Sequence, residues 1–174
     1  MTVSKECVGL AAEYAVASEL CRRGVYAQLT LGNRKRTDIL VDADAGTMFR
    51  IQVKSKQGRE WPGVRGVFGE SIALVLVDYE KKTLSERPDF YILLPKDWAA
   101  VLKNTVVKDG HVESGKVRID ENNIPTWRDN WVGLGVRPEY VLKYKDGWDK
   151  LIDLAAMPAN SAVHRTRAEA ARAR

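Results

Sequence analysis

Apolar and polar positions along the chain fall into blocks of two periods, one helical and one strand-like. From Ser4 to Arg23, Leu10, Ala17 and Leu20 recur with Ala11, Tyr14 and Ala15 at helical spacing. Ser4 suits the N-cap, Glu6 the positive end of the helix dipole and Arg22 with Arg23 the negative end, and Gly24 stops the helix. Gly9, Glu13 and Ala17 form one stripe at four-residue steps, with small residues on either side of Glu13 that would let the helix lie close to a sheet. Val25 to Leu31 reads as a first strand, and Gly32 to Arg36 as a polar, basic loop. Two short apolar runs follow, Ile39 to Val41 and Phe49 to Ser55, around a turn at Asp44-Ala45-Gly46-Thr47, the pattern of a β-hairpin.

Gly58 to Glu70 carries four glycines, Trp61 and Pro62, and reads as an irregular loop of a length associated with function, with Trp61 as its anchor on the core. No long crossover helix is written there. Ile72 to Tyr79 is apolar on both faces, as in a central strand, and Phe90 to Leu94 is a further strand stopped by Pro95. Lys96 to Lys103 predicts a short helix burying Trp98, Val101 and Leu102. Between Thr105 and Tyr144 the signal fades into short segments with room for a small β-excursion. Gly147 to Leu154 predicts a closing helix with Trp148, Leu151 and Ile152 inward, and the remaining tryptophans read as core. Together these elements predict an α/β fold: a central mixed β-sheet flanked by helices. Residues 1–157 form one domain, and 158–174 a basic Ala/Arg-rich tail.

Composition narrows the function classes. The apolar fraction of 45% and charged fraction of 29% are ordinary for a soluble globular protein. No run approaches the roughly 20 apolar residues that span a bilayer, and no leader pattern opens the chain, so a cytoplasmic protein without a membrane partner is expected. Cys7 and Cys21 lie about 21 Å apart along one helix, too far for a disulfide, and read as free thiols. Of the net charge of +5, the tail holds four arginines against one glutamate, 4 − 1 = +3. There is no phosphate-binding or dinucleotide glycine motif and no nucleophile elbow, and His111 and His164 lack metal spacing.

The chemistry concentrates in the hairpin. Asp38 opens its first run, while Gln52 and Lys54, two apart, share one face of the second and Ile51 and Val53 the other. A carboxylate, an amide oxygen and an ammonium converge where apolar packing needs none of them. This arrangement resembles the PD-(D/E)XK nuclease superfamily, and Gly9 and Glu13 on the preceding helix extend the resemblance from Val8 to Lys56, with a looser fit to Pro95. Thr37 stands where the family has proline, and Gln52 where it has an acid. The resemblance implies a restriction-endonuclease-like αβββ core and a Mg²⁺-dependent endonuclease, with Mn²⁺ as substitute, hydrolysing phosphodiester bonds in DNA. It implies Asp38 as principal metal ligand, with the Val53 carbonyl, the Gln52 amide oxygen and Glu13, directly or through water, beside it. Lys54 would orient the attacking water or stabilise the pentavalent phosphate. Arg34, Lys35, Arg36, Lys56 and Arg59 flank this centre as candidate phosphate contacts. A homodimer or higher homo-oligomer is expected from the same resemblance. The neutral Gln52 leaves an alternative open: a catalytically inactive nuclease-fold protein that binds nucleic acid or a protein partner.

Overall fold

The computed structural model describes residues 3–30, 37–43 and 46–157. Helix α1 spans Lys5–Cys21; the Ser4 hydroxyl accepts the Cys7 N–H at 3.2 Å. Gly24 ends it at φ +78°, and the Val25 N–H returns to the Leu20 carbonyl at 3.0 Å. The helix buries Val8, Ala12, Val16, Ala17 and Leu20. Leu10 and Tyr14, expected on the inward stripe, are exposed, because α1 is apolar around its circumference and the sheet takes only one side.

Gly9 does not serve close packing either: a Cβ placed there would meet nothing within 4 Å. Gly9→Ala is therefore expected to raise stability by about 0.5–1 kcal/mol through helix propensity alone, read as a higher denaturation midpoint. An unchanged or lower midpoint would mean that the space beside Gly9 is occupied.

Strands β1 (Ala27–Leu29), β2 (Ile39–Asp42) and β3 (Met48–Lys56) form an antiparallel meander, with Ala27 opposite Val41 and Ile39 opposite Ile51. After β4 (Trp61–Val64), β5 (Ile72–Asp78) lies parallel to β3, Arg50 opposite Ile72, and β6 (Asp89–Leu93) pairs antiparallel with β5. The result is a five-stranded mixed sheet in the order β1-β2-β3-β5-β6. Every residue of β5 is buried, as expected for the strand at its apolar centre. Each of its leucine, isoleucine and valine side chains, taken fully from water, contributes about 1.5–3 kcal/mol.

Helix α2 (Pro95–Leu102) opens with the Asp97 carboxylate accepting the Leu94 N–H at 3.0 Å and loosens into a π-type turn over Lys103–Val107. The β-excursion resolves into a hairpin of β7 (Val117–Ile119) and β8 (Pro125–Trp127), then β9 (Leu134–Val136) and a short α3 (Pro138–Val141). Helix α4 (Asp149–Ala156) closes the core as expected, with Trp148 and Leu151 buried, and the basic tail 158–174 lies outside the described residues. One core lies under α1 and α4, joining Val16 and Leu20 to Ile51, Val53, Val75, Trp148 and Leu151. The other joins Leu74, Leu76 and Leu93 to Trp61, Trp98, Val136 and Tyr144. Among the described residues, this second core covers β5, β6 and the Lys56 end of β3.

The glycine-rich connection from β3 to β5 is more ordered than an irregular loop. Its β4 pairs antiparallel with β9, Trp61 opposite Val136, through a bulge. Trp61, 1% exposed, donates its indole N–H to the Val77 carbonyl at 3.0 Å and meets the Tyr91 ring edge-on. Gly66 is required at its position, since a Cβ there would sit 2.0 Å from the Trp98 indole nitrogen. The expectation that the other tryptophans are core fails at Trp131, which is exposed on the turn between β8 and β9 against Trp127.

Candidate active site

The β2–β3 ladder ends at Ile39 and Ile51, yet β3 runs on to Lys56. Asp38 stands at that end. Its N–H donates to the Ile51 carbonyl at 3.0 Å, and its own carbonyl accepts the Thr30 N–H at 3.0 Å. The Thr30 hydroxyl holds the neighbouring Thr37 carbonyl at 2.6 Å. The main chain at Asp38 is thus fixed from β3 on one side and from the end of β1 on the other. Thr30 was not legible as a positioning residue, because a single threonine at a strand end carries no pattern.

The Asp38 carboxylate continues the ladder with its side chain: Oδ2 accepts the Val53 N–H at 2.6 Å. The direction of the Val53 carbonyl follows from strand alternation. The Arg50 N–H and the Lys56 carbonyl bond towards β5, at Ser71 and Tyr79. Residues of the opposite parity, Val53 among them, therefore turn both N–H and C=O towards β2 and Asp38. Oδ1 of Asp38 accepts no hydrogen bond from the described residues.

Gln52 and Lys54 project from the face of β3 turned away from α1, opposite Leu74 and Leu76 of β5. Gln52 is half-buried and Lys54 exposed. Glu13, half-buried on α1, comes from the other side of the sheet. Burial pushes its carboxyl above the ordinary range, the negative charge of Asp38 adds to that, and the Lys54 ammonium opposes it. The three groups therefore share one electrostatic field across the gap that β2 leaves beside β3. Among the described residues no three His, Cys, Asp or Glu side chains assemble as a metal-holding group. The available donors are two carboxylates, an amide oxygen and a main-chain carbonyl. All are hard oxygens, the donor type that Mg²⁺ and Mn²⁺ take, and two like-charged acids side by side gain from a cation.

Of the five expected phosphate contacts, Arg59 is exposed. Arg34, Lys35 and Arg36 lie outside the described residues. Lys56 needs correction. It is 4% exposed, with its ammonium 2.7 Å from Asp78, 2.9 Å from Glu80, bonded to the Gly58 carbonyl and 4.8 Å from the centre of the Trp61 ring. It shares a strand face with Lys54, but the Trp61 strap covers its end of β3 and leaves no room for a phosphate.

No helix among the described residues is long and apolar enough to cross a membrane. No family model and no curated protein matches the chain. Among solved structures, a bacterial homing endonuclease, I-Ssp6803I, is similar. The likeness covers 52% of this chain and 69% of that one, at 20% identity and a TM-score of 0.39.

Proposed function

We propose that the protein is a metal-dependent endonuclease that hydrolyses phosphodiester bonds in DNA, with an active centre of the PD-(D/E)XK kind. The observation that carries this reading is the Asp38 carboxylate. It is fixed by the Val53 N–H at the point where β2 leaves β3, with its other oxygen accepting no hydrogen bond among the described residues and Glu13 and Lys54 in its field.

Asp38, the Val53 carbonyl, Gln52 and Glu13 would hold the ion. When bound, Mg²⁺ neutralises charge developing on the phosphate and makes a bound water more acidic. Lys54, an exposed ammonium on the same face as Gln52, orients the attacking water or takes up negative charge at the phosphate. Fixing Asp38 through Thr30, Ile51 and Val53 keeps the carboxylate in place before substrate arrives.

The test is cleavage of duplex, single-stranded and branched DNA with Mg²⁺ or Mn²⁺. Product that depends on added metal supports the reading; failure on every substrate overturns it. The neutral amide at position 52 favours a second reading, a non-catalytic protein on the same scaffold. Gln52→Glu separates the roles. Added ligand charge is expected to tighten Mn²⁺ binding by about tenfold, measured by calorimetry. An unchanged titration would remove Gln52 from the ion's surroundings.

A further inference from the structure

Among the described residues, the second core leaves the β1–β3 half of one sheet face uncovered, and that half is continuous with Gln52 and Lys54. Gln28 on β1, Leu40 on β2 and Arg50 on β3 stand opposite one another in register, so their side chains form one row across the sheet. Their neighbours Ala27, Leu29, Ile39, Val41, Phe49 and Ile51 pack into the core under α1, which fixes the direction of the row away from it. Gln28 and Arg50 are exposed and Leu40 is half-buried. Along β3, Arg50 precedes Gln52 by two residues, about 7 Å, and Lys54 by twice that.

The chemistry of this face suits a polyanion with readable edges. Neither Arg50 nor Lys54 enters an ion pair among the described residues, unlike the cations that brace the rest of the fold. The acid of this surface, Asp42, lies one row further from Lys54 than Arg50 does. Gln28 is held: its amide donates to the Tyr26 hydroxyl at 2.6 Å, and the side chain is exposed to solvent. A restrained amide is the group that reads adenine in a major groove, and an arginine is the group that grips phosphate or guanine.

The geometry points to the uncovered face of β1–β3 as the seat of a B-form DNA duplex, with Arg50 gripping the backbone beside the reacting phosphate and Gln28 reading a base edge. This rests on the nuclease reading above, which supplies the reacting centre at Gln52 and Lys54. The row from Gln28 to Arg50 runs about 10 Å between the outer strand axes, so its side chains can enter a major groove about 12 Å wide, whereas the deep, narrow major groove of an RNA duplex excludes them.

The experiment measures binding of mixed-sequence DNA duplexes in an Asp38→Asn background, which holds them uncut, followed by selection from a randomised duplex pool. Arg50→Ala is expected to weaken binding by about tenfold and to lower the log–log salt slope by about 1. Gln28→Ala is expected to leave mixed-sequence affinity nearly unchanged and to relax preference at one base position. Lys108→Ala, removing an exposed cation elsewhere, should change neither. Native-like binding and selection by the Arg50 and Gln28 variants, with metal-dependent cleavage intact in the parent, would overturn the face and spare the nuclease. Preference for single strands or RNA duplex would overturn the face as well. A parent that neither binds nor cuts DNA would overturn both readings.

Discussion

Asp38→Ala lowers DNA cleavage by about a thousand-fold or more, and Asp38→Asn lowers it as much, if the hairpin end is the reacting centre. The two substitutions part company in stability. Alanine leaves the Val53 N–H without its 2.6 Å acceptor, an expected loss of about 1 kcal/mol, whereas asparagine keeps an oxygen there. Lys54 makes no ion pair among the described residues and is exposed, so Lys54→Ala should abolish cleavage with a stability change within about 0.5 kcal/mol. Cleavage assays on the three purified variants, each with a denaturation curve, check this pattern. Full activity in either position-38 variant would place the chemistry elsewhere. A collapse in stability with Lys54→Ala would assign that lysine to the fold.

The second large effect lies at Glu19, a carboxylate buried at the C-terminal end of α1. Arg87 grips both its oxygens at 3.1 Å, Arg22 and Arg23 bond to it from the turn that follows α1, and Arg87 reaches on to Asp146 at 3.2 Å. The Arg23 guanidinium also lies 4.6 Å from the Trp148 ring centre. These contacts tie α1, the connection before β6 and the entry to α4 into one cluster. The hydrogen bonds from Arg87, then Arg23, outweigh burial and hold the Glu19 carboxyl at about 2, against an ordinary 4.5. Because the folded value is the lower one, the stabilisation is complete above about pH 4.5 and is lost as pH falls towards 2. At neutral pH it is on the order of 3 kcal/mol. Glu19→Gln should lose about that much near pH 7 and converge with the parent only as pH falls to about 2, as measured by urea unfolding across the range. Parallel curves at all pH values would sink this account.

Much of the sheet was legible because its signals are local. The apolar run of β5, the turn of the β2–β3 hairpin, the Ser4 cap and the Gly24 stop each decide their element from neighbouring residues. The placement of Gln52 and Lys54 on one strand face followed from period two. What escaped was set by distant partners. Trp61-Pro62-Gly63-Val64 has no strand pattern and becomes a strand only because Leu134–Val136 arrives beside it. Helical periodicity in α1 could not say which apolar side the sheet would take. Lys54 and Lys56 look equivalent in sequence, but Asp78 of β5 and the Trp61 strap, itself held by β9, bury Lys56 and leave Lys54 exposed. Glu19 reads as an ordinary surface acid near two arginines until Arg87 reaches it across the fold.

The strap also orders events during synthesis. β3 and β5 leave the ribosome in succession, but the segment joining them finds its strand partner only when β9 emerges, well after both. Until then, the Leu74–Leu76 face of the most apolar strand has no cover from Val136 or Tyr144. A nascent chain of this kind is prone to self-association and offers chaperones a target, and the interval closes once Val136 and Tyr144 have emerged.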